Sequence, residues 1–246
     1  MTGRLMVVGQ PASEQTNFPP ELGSRIAAAA MMCASRFEAG ATLWCLAPAW
    51  PEHARHVAVE FVHPVILGKR ALPSVAINVQ DPVASLRSIV RSGDLVLVIG
   101  TADDESIIDA LRRAPAWGVR TIWLGYGAPP DEHLADFSLW LPSADATAPY
   151  DGSLVLLYHL LWELTHVCIE HQNELDELAH SIDDRCITCS DEGRVAEVVS
   201  VSGTEAAVRT ARGIERIDIG LVAPVEVNDL VLVHAGIALT SIRAPR

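Results

Sequence analysis

Two groups of side chains in this chain of 246 residues are of types that bind metal ions. Cys186 and Cys189 are separated by two residues, a spacing that fits a flexible pair without function, half of a zinc site or a redox-active pair. No second cysteine pair completes a zinc site, and no strand-to-helix junction precedes the pair as a redox motif requires. His56 and Glu60 are four residues apart on a predicted helix, so both project from one face. Imidazole and carboxylate groups suit zinc or iron.

Helix-like and strand-like segments alternate from residue 20 to about residue 170. The clearest strand is residues 94–100, an apolar run typical of a strand buried on both sides. Asp81 is a candidate N-cap for a helix over residues 81–91, with Pro82 at its first position. Further strands are predicted at residues 41–47, 73–78, 120–125 and 136–141, and further helices at about residues 20–40, 52–62, 104–117 and 151–171. The pattern predicts an α/β domain with a parallel sheet and helices on both faces.

The pattern of residue types changes after an acidic, polar stretch at residues 170–185. Short β-like runs follow at residues 194–201, 206–212, 215–220 and 230–233, with turn signals between them. No segment of helix length interrupts these runs, so they predict a small all-β, OB-like barrel. The predicted organisation is an α/β domain at residues 1–172, a linker or helix extension at 173–185 and the barrel at 186–246.

Composition and charge exclude several classes of protein. Half of the residues are hydrophobic, which is enough to build a core and excludes a mainly disordered chain. The formal charge of −13 argues against nucleic acid or an anionic membrane as a partner. Apolar runs are too short for a membrane span, and the N-terminal segment does not resemble a signal peptide. We therefore expect a cytoplasmic protein whose five cysteines are reduced.

The C-terminal part resembles the HypC/HupF-type chaperones of [NiFe]-hydrogenase maturation. The resemblance is carried by residues 186–199 (CITCSDEGRVAEVV), 213–219 (GIERIDI) and 227–238 (VNDLVLVHAGIA). It implies a chaperone that binds an Fe(CN)2CO unit through a cysteine thiolate, works with a maturation scaffold protein and delivers iron to the hydrogenase large subunit. The matching iron ligand is Cys186, with Cys189 as its partner or substitute, and the matching family histidine is His234. A soft thiolate suits iron that carries strong-field ligands.

The α/β part resembles sugar isomerase (SIS) domains, in particular those of the phosphoheptose isomerase type. The resemblance is carried by residues 42–45, 52–61, 70–77, 92–99, 118–124 and 159–164. In that family two loops bind the sugar phosphate, but here the first reads LAPAW at residues 46–50. The second keeps one hydroxyl, Thr101, and carries carboxylates at Asp103, Asp104 and Glu105 that should repel phosphate. We expect these acids to cap the following helix, with Thr101 as the remaining candidate ligand-binding residue.

The same resemblance implies a metal site in the α/β domain. His56 and Glu60 match a zinc-binding histidine and glutamate of the phosphoheptose isomerases, and His159 matches a further histidine ligand. Asp151 aligns with the fourth ligand, a glutamine in the family. The resemblance therefore implies zinc or iron held by His56, Glu60, His159 and Asp151, and an SIS-like domain that forms a homo-oligomer.

These observations favour a hydrogenase maturation chaperone that is not an enzyme, with the SIS-like domain as an oligomerisation, ligand-binding or metal-binding module. Two alternatives stay open. The first is a metal-dependent, isomerase-like enzyme that uses His56, Glu60 and His159. The second is a regulatory SIS protein that binds a small ligand and uses its barrel as an interaction platform.

Overall fold

The computed structural model describes residues 20–64, 66, 68–79, 81–130, 133–141, 152–171, 194–222, 224–234 and 236–242. Within them, residues 20–171 form an α/β domain with a parallel sheet, and residues 194–242 form a closed β-barrel. The predicted fold class is therefore confirmed. The predicted linker at residues 173–185 lies outside the described residues, and the predicted domain boundaries stay predictions.

The α/β domain is built on five parallel strands in the order β2-β1-β3-β4-β5. The strands are β1 (Leu43–Leu46), β2 (Ser74–Ile77), β3 (Leu95–Gly100), β4 (Arg120–Tyr126) and β5 (Phe137–Leu141). The helices are α1 (Pro20–Glu38), α2 (Pro51–Val62), α3 (Pro82–Ile89), α4 (Glu105–Trp117) and α5 (Ser153–Glu170). All strands and helices predicted for this domain are present.

The sequence of the central strand β3 is apolar because both faces of this strand are buried. Leu95, Leu97 and Ile99 pack into the core on the side of α1, α2 and α5. Val96 and Val98 point the other way, into the core beneath α3 and α4. All six residues of β3 are buried, as expected for a strand covered on both faces. None of the helices in the described parts of the chain is both long and apolar enough to cross a membrane.

Two aspartates begin helices on the α3/α4 side of the sheet. The Asp81 side chain accepts a hydrogen bond from the backbone N–H of Ala84, and Pro82 occupies the first turn of α3. Asp104 accepts hydrogen bonds from the backbone N–H groups of Ser106 and Ile107 at the start of α4. The predicted N-cap Asp81 is confirmed, and of the three acids expected to cap α4, Asp104 does so. Both aspartates satisfy backbone donors that a helix start leaves open.

The barrel closes five strands in the order β10-β8-β7-β6-β9. They are β6 (Arg194–Ser202), β7 (Glu205–Thr210), β8 (Gly213–Asp218), β9 (Leu230–His234) and β10 (Ile237–Ile242). The sequence did not predict β10, because Ala238 is its one buried residue and the strand therefore lacks clear alternation. Its pairing with β9 nevertheless joins the barrel wall.

A buried carboxylate joins the barrel to helices α3 and α4. Glu197 on β6 is 1% exposed and accepts hydrogen bonds from residues of the α/β domain. Its Oε1 lies 3.0 Å from Nε of Arg87 and 2.7 Å from Nη1 of Arg113. Its Oε2 accepts from the indole N–H of Trp117 at 3.2 Å. Two guanidinium groups and one indole therefore compensate the charge of a carboxylate removed from water.

Backbone contacts extend this interface. Arg113 also donates to the carbonyl of Asn228 at 2.9 Å, and Arg209 of the barrel donates to the carbonyl of Arg87 at 2.8 Å. Gly118 ends α4 with a φ of 70°, and a Cβ at this position would lie 2.9 Å from Cα of Ala211. A glycine is required here both by the left-handed backbone and by the close approach of the barrel.

The replacement of Gly125 by alanine is expected to destabilise the α/β domain by about 3 kcal/mol. A Cβ on Gly125 would lie 1.7 Å from the ring of Trp140, which packs edge-on against Trp123 and donates to the Gly127 carbonyl. A shift of the indole would therefore break its packing against Trp123 and its hydrogen bond to Gly127. Urea unfolding measures the effect, and Gly23→Ala on α1 is the matched control, because nothing lies within 4 Å of its Cβ position. Equal stability of the two variants would contradict the prediction.

Candidate metal centre

Three metal-binding side chains converge between helices α2 and α5. Nε2 of His56 lies 3.3 Å from Oε1 of Glu60 and 3.3 Å from Nε2 of His159. The third edge of the triangle, from Nε2 of His159 to Oε1 of Glu60, is 3.7 Å. Among the described residues, His56, Glu60 and His159 are three side chains whose ligand atoms lie close enough together to bind one metal ion.

The apolar faces of the two helices determine where these donors point. Val57 and Phe61 of α2, and Leu157 and Leu161 of α5, are buried in the same core on one side of the sheet. The helices therefore lie side by side, and the polar residues beside their apolar faces meet in the groove between them. The side chains of His56 and His159 are each 39% exposed and that of Glu60 is 17% exposed, so the site is open to solvent.

The spacing of the donors fits a tetrahedral metal ion. Metal–donor bonds of about 2.0–2.1 Å require donor atoms about 3.3–3.4 Å apart in a tetrahedron. Two edges of the observed triangle have this length, and the third is slightly longer. Two imidazoles and one carboxylate are also a donor set that zinc and ferrous iron accept. Three protein donors leave a fourth position for another ligand.

Tyr158 and His53 form a second layer behind His56. The Tyr158 hydroxyl lies 2.8 Å from Nδ1 of His56, on the side of the ring away from the donor triangle, and 3.5 Å from Nδ1 of His53. Burial, with a contribution from the charge of Glu60, raises the pKa of Tyr158 to about 12, so the hydroxyl keeps its proton at neutral pH. Burial, followed by the charge of His56, lowers the pKa of His53.

Sequence reasoning missed this second layer. Neither residue matches a family ligand, and Tyr158 reads as one apolar residue of a leucine-rich helix. The available signal was the spacing of His53 and His56, three residues apart on one helix face. His166, a further histidine on α5, is buried with its ring nitrogens 3.0 Å from the carbonyl oxygens of Trp162 and Arg70.

The polar side chains of the loop before α4 form hydrogen bonds with one another and with the first backbone N–H groups of the helix. The Thr101 hydroxyl donates to the carboxylate of Asp103, and this hydrogen bond lowers the pKa of Asp103. Asp104 caps the first backbone N–H groups of α4 that a phosphate would otherwise approach. The expected capping role of an acid in this loop is therefore observed at Asp104. A ligand-binding role for Thr101 stays a prediction.

Of the remaining predicted site residues, the structure describes only the backbone of His234. Asp151, Cys186 and Cys189 lie outside the described residues. His234 is the last residue of β9, at the turn into β10, and its side chain is not among the described ones.

The two halves of the chain match different known proteins. Residues 193–245 match the HupF/HypC family, and this match begins after Cys186 and Cys189. A phosphoheptose isomerase from Clostridium acetobutylicum is 26% identical over an alignment of 128 residues, which covers 45% of this chain and 65% of that relative. The chain thus spans less than two thirds of the length of the curated relative that it matches.

Solved structures give the same assignment for the α/β domain. A phosphoheptose isomerase from Francisella tularensis superposes with a TM-score of 0.52 at 19% identity, covering 63% of this chain and 90% of that chain. One from Neisseria gonorrhoeae gives a TM-score of 0.47 at 17% identity and covers 61% and 86%, respectively. The superposition on the Francisella tularensis structure shows that the α/β domain has the fold of the phosphoheptose isomerases. The barrel matches the HupF/HypC family.

Proposed function

We propose that this protein is a hydrogenase maturation factor whose barrel binds an Fe(CN)2CO unit as cargo and delivers it to the hydrogenase large subunit. The observation that carries the proposal is the match of residues 193–245 to the HupF/HypC family, on a segment that forms a closed five-stranded barrel. The proposed iron ligand is the Cys186 thiolate, with Cys189 as its partner or substitute and His234 as the supporting imidazole. Thiolate is the protein ligand best suited to such an iron unit.

The α/β domain is proposed as a metal-binding and oligomerisation module for the barrel. The donor triangle of His56, Glu60 and His159 supports zinc or iron at this place, and Asp151 is the proposed fourth ligand. Leu156 and Val59, which are 43% and 48% exposed on α5 and α2, support a homo-oligomer that covers this side of the domain. Glu197 and its partners support a fixed position of the barrel against α3 and α4.

The proposed partners are the hydrogenase large subunit and a maturation scaffold protein, and the proposed location is the cytoplasm. Support for both partners comes from the HupF/HypC match at the level of the family. The formal charge of −13 supports protein partners rather than nucleic acid.

A metal-dependent isomerase-like enzyme is the second candidate function. The donor triangle favours it, because two histidines and a glutamate are a donor set that catalytic metal sites use. The loop before α4 argues against a phosphosugar substrate, since Asp103 and Asp104 place negative charge where phosphate would bind. A regulatory SIS protein would instead bind a small ligand without turnover.

Infrared spectroscopy of protein purified without oxygen from hydrogenase-producing cells is expected to show CN and CO stretching bands. The Cys186→Ala variant is expected to lose these bands, because it removes the proposed thiolate ligand. Cys168→Ala on α5 is the matched control and should keep them. Bands that survive in Cys186→Ala but vanish in Cys189→Ala would move the ligand to Cys189. The absence of bands in the wild type with a co-expressed scaffold protein would contradict the chaperone proposal.

A further inference from the structure

We propose that Tyr158 is a positioning residue for the metal centre, and that it acts by accepting a hydrogen bond from Nδ1–H of His56 when Nε2 of His56 binds a metal, with His53 as the acceptor for its own hydroxyl. This inference rests on the proposed metal site at His56, Glu60 and His159. It adds two residues that are not metal ligands and that act through His56.

The contacts of Tyr158 separate it from an ordinary core residue. Its ring is buried, with 1% of the residue exposed, but its hydroxyl meets two imidazoles rather than a backbone carbonyl. The rings of Tyr158 and His56 are edge-to-face, with centroids 5.1 Å apart. The hydroxyl therefore meets the edge of the imidazole at Nδ1, while Nε2 of the same ring points at Glu60 and His159.

Metal binding through Nε2 determines the direction of this hydrogen bond. A neutral imidazole has one N–H group and one lone pair, so Nε2 can bind a metal only when the proton is on Nδ1. Nδ1–H must then donate to the hydroxyl oxygen of Tyr158. The hydroxyl proton of Tyr158 needs its own acceptor, and Nδ1 of His53 lies 3.5 Å away. The chain of donors runs from His56 through Tyr158 to His53.

Without a metal the same groups fit the opposite direction. Nε2–H of His56 can donate to Oε1 of Glu60 at 3.3 Å, and Nδ1 then accepts from the Tyr158 hydroxyl. A hydroxyl is both donor and acceptor, so Tyr158 satisfies His56 in either tautomer. A phenylalanine could satisfy neither, and it would leave Nδ1–H of His56 without an acceptor when a metal binds. Tyr158 thus stabilises the tautomer of His56 that binds metal through an acceptor that phenylalanine lacks, and it does so without fixing the tautomer when no metal is bound.

Cobalt(II) is the probe for this inference, because its visible absorption reports both binding and coordination in the full-length protein. Tyr158→Phe is expected to weaken Co²⁺ affinity about 10–100-fold, the usual effect of removing a hydrogen-bond partner of a ligating histidine. Tyr126→Phe, which alters a buried tyrosine on β4, is the matched control and should bind as the wild type does. Zinc competition against a chromophoric chelator gives an independent affinity.

A double-mutant cycle tests the place of His53 in the chain. His53→Phe keeps a ring next to Tyr158 but removes the acceptor, and it is expected to weaken Co²⁺ affinity a few-fold. In the Tyr158→Phe background the same change should have no effect, because the link to His56 is already broken. An equal effect in both backgrounds would show that His53 does not act through Tyr158 and would overturn its role.

The outcomes also separate this inference from the metal site itself. If the wild type does not bind Co²⁺ or Zn²⁺, the proposed metal site fails and the relay fails with it. If the wild type binds and Tyr158→Phe binds equally well, the relay is wrong while the metal site stands. Thermal unfolding in a chelator provides the structural check. Tyr158→Phe must unfold as the Tyr126→Phe control does, and an affinity loss that only follows a loss of fold would overturn the positioning role.

Discussion

The replacement of Glu197 by alanine is expected to lower the free energy of unfolding by about 3 kcal/mol and to release the barrel from α3 and α4. Removing one partner of a buried ion pair typically costs about 3–5 kcal/mol, because the other charge stays buried without compensation. Here two guanidinium groups lose this carboxylate, and the indole N–H of Trp117 loses its acceptor, while Arg113 keeps its ion pair with Asp109 at 2.8 Å. The side chains of Arg87 and Arg113 are 24% and 15% exposed, so both can turn partly towards water. We therefore expect the lower end of this range.

Equilibrium unfolding in urea, followed by tryptophan fluorescence, measures this effect. Glu197→Gln keeps an acceptor for Trp117 but removes the charge, and it should lose about 1–3 kcal/mol. Glu205→Ala, on the neighbouring strand β7 and exposed, is the matched control and should change stability by less than about 0.5 kcal/mol. A Glu197→Ala protein as stable as this control would show that the buried carboxylate does not hold the two domains together.

The α/β domain could be predicted from the sequence because each of its elements follows a local rule. The apolar runs of β3 and β4 are those of strands covered on both faces, and Asp81 and Asp104 mark helix starts that the structure contains. In the barrel, β10 escaped prediction because one buried residue, Ala238, leaves little pattern in the sequence. Its place depends on pairing with β9, which is a tertiary property.

The site could be predicted only where spacing or family resemblance placed its residues. The spacing of His56 and Glu60 placed both on one helix face, and the resemblance to phosphoheptose isomerases added His159. Tyr158 acts through a contact between two helices about a hundred positions apart in the chain, which no local pattern encodes. The contacts of Glu197 could not be predicted for the same reason, because its partners Arg113 and Trp117 are 84 and 80 positions away in the sequence. A single glutamate in a β-strand reads as a solvent-facing residue until those partners are known.

The proposed metal centre gives the other prediction with a large expected effect. Glu60→Gln is expected to weaken zinc binding at least about 100-fold, which exceeds the 10–100-fold effect of second-layer changes because it alters a proposed direct ligand. Glu60 is the anionic member of the donor triangle, and its carboxylate is 17% exposed, so bulk water screens it incompletely. Glutamine keeps the shape and a carbonyl oxygen, but it removes the negative charge of the carboxylate and is a weaker ligand for a divalent cation.

Zinc content after dialysis against a weak chelator, together with zinc-dependent thermal stabilisation, measures the change. A ligand that binds only the folded state at 100 times its Kd stabilises it by about 2.7 kcal/mol, so the wild type should gain several degrees in Tm on zinc addition. Glu60→Gln should gain at most about 0.4 kcal/mol at the same concentration, a small fraction of the wild-type gain. Glu163→Gln is the matched control, because Glu163 is exposed one turn beyond His159 on α5. Equal zinc content in the Glu60→Gln and Glu163→Gln variants would place any bound zinc elsewhere.

If zinc is lost in Glu60→Gln while the CN and CO bands of the barrel persist, the two metal sites are independent. A joint loss would instead connect the α/β domain to iron delivery.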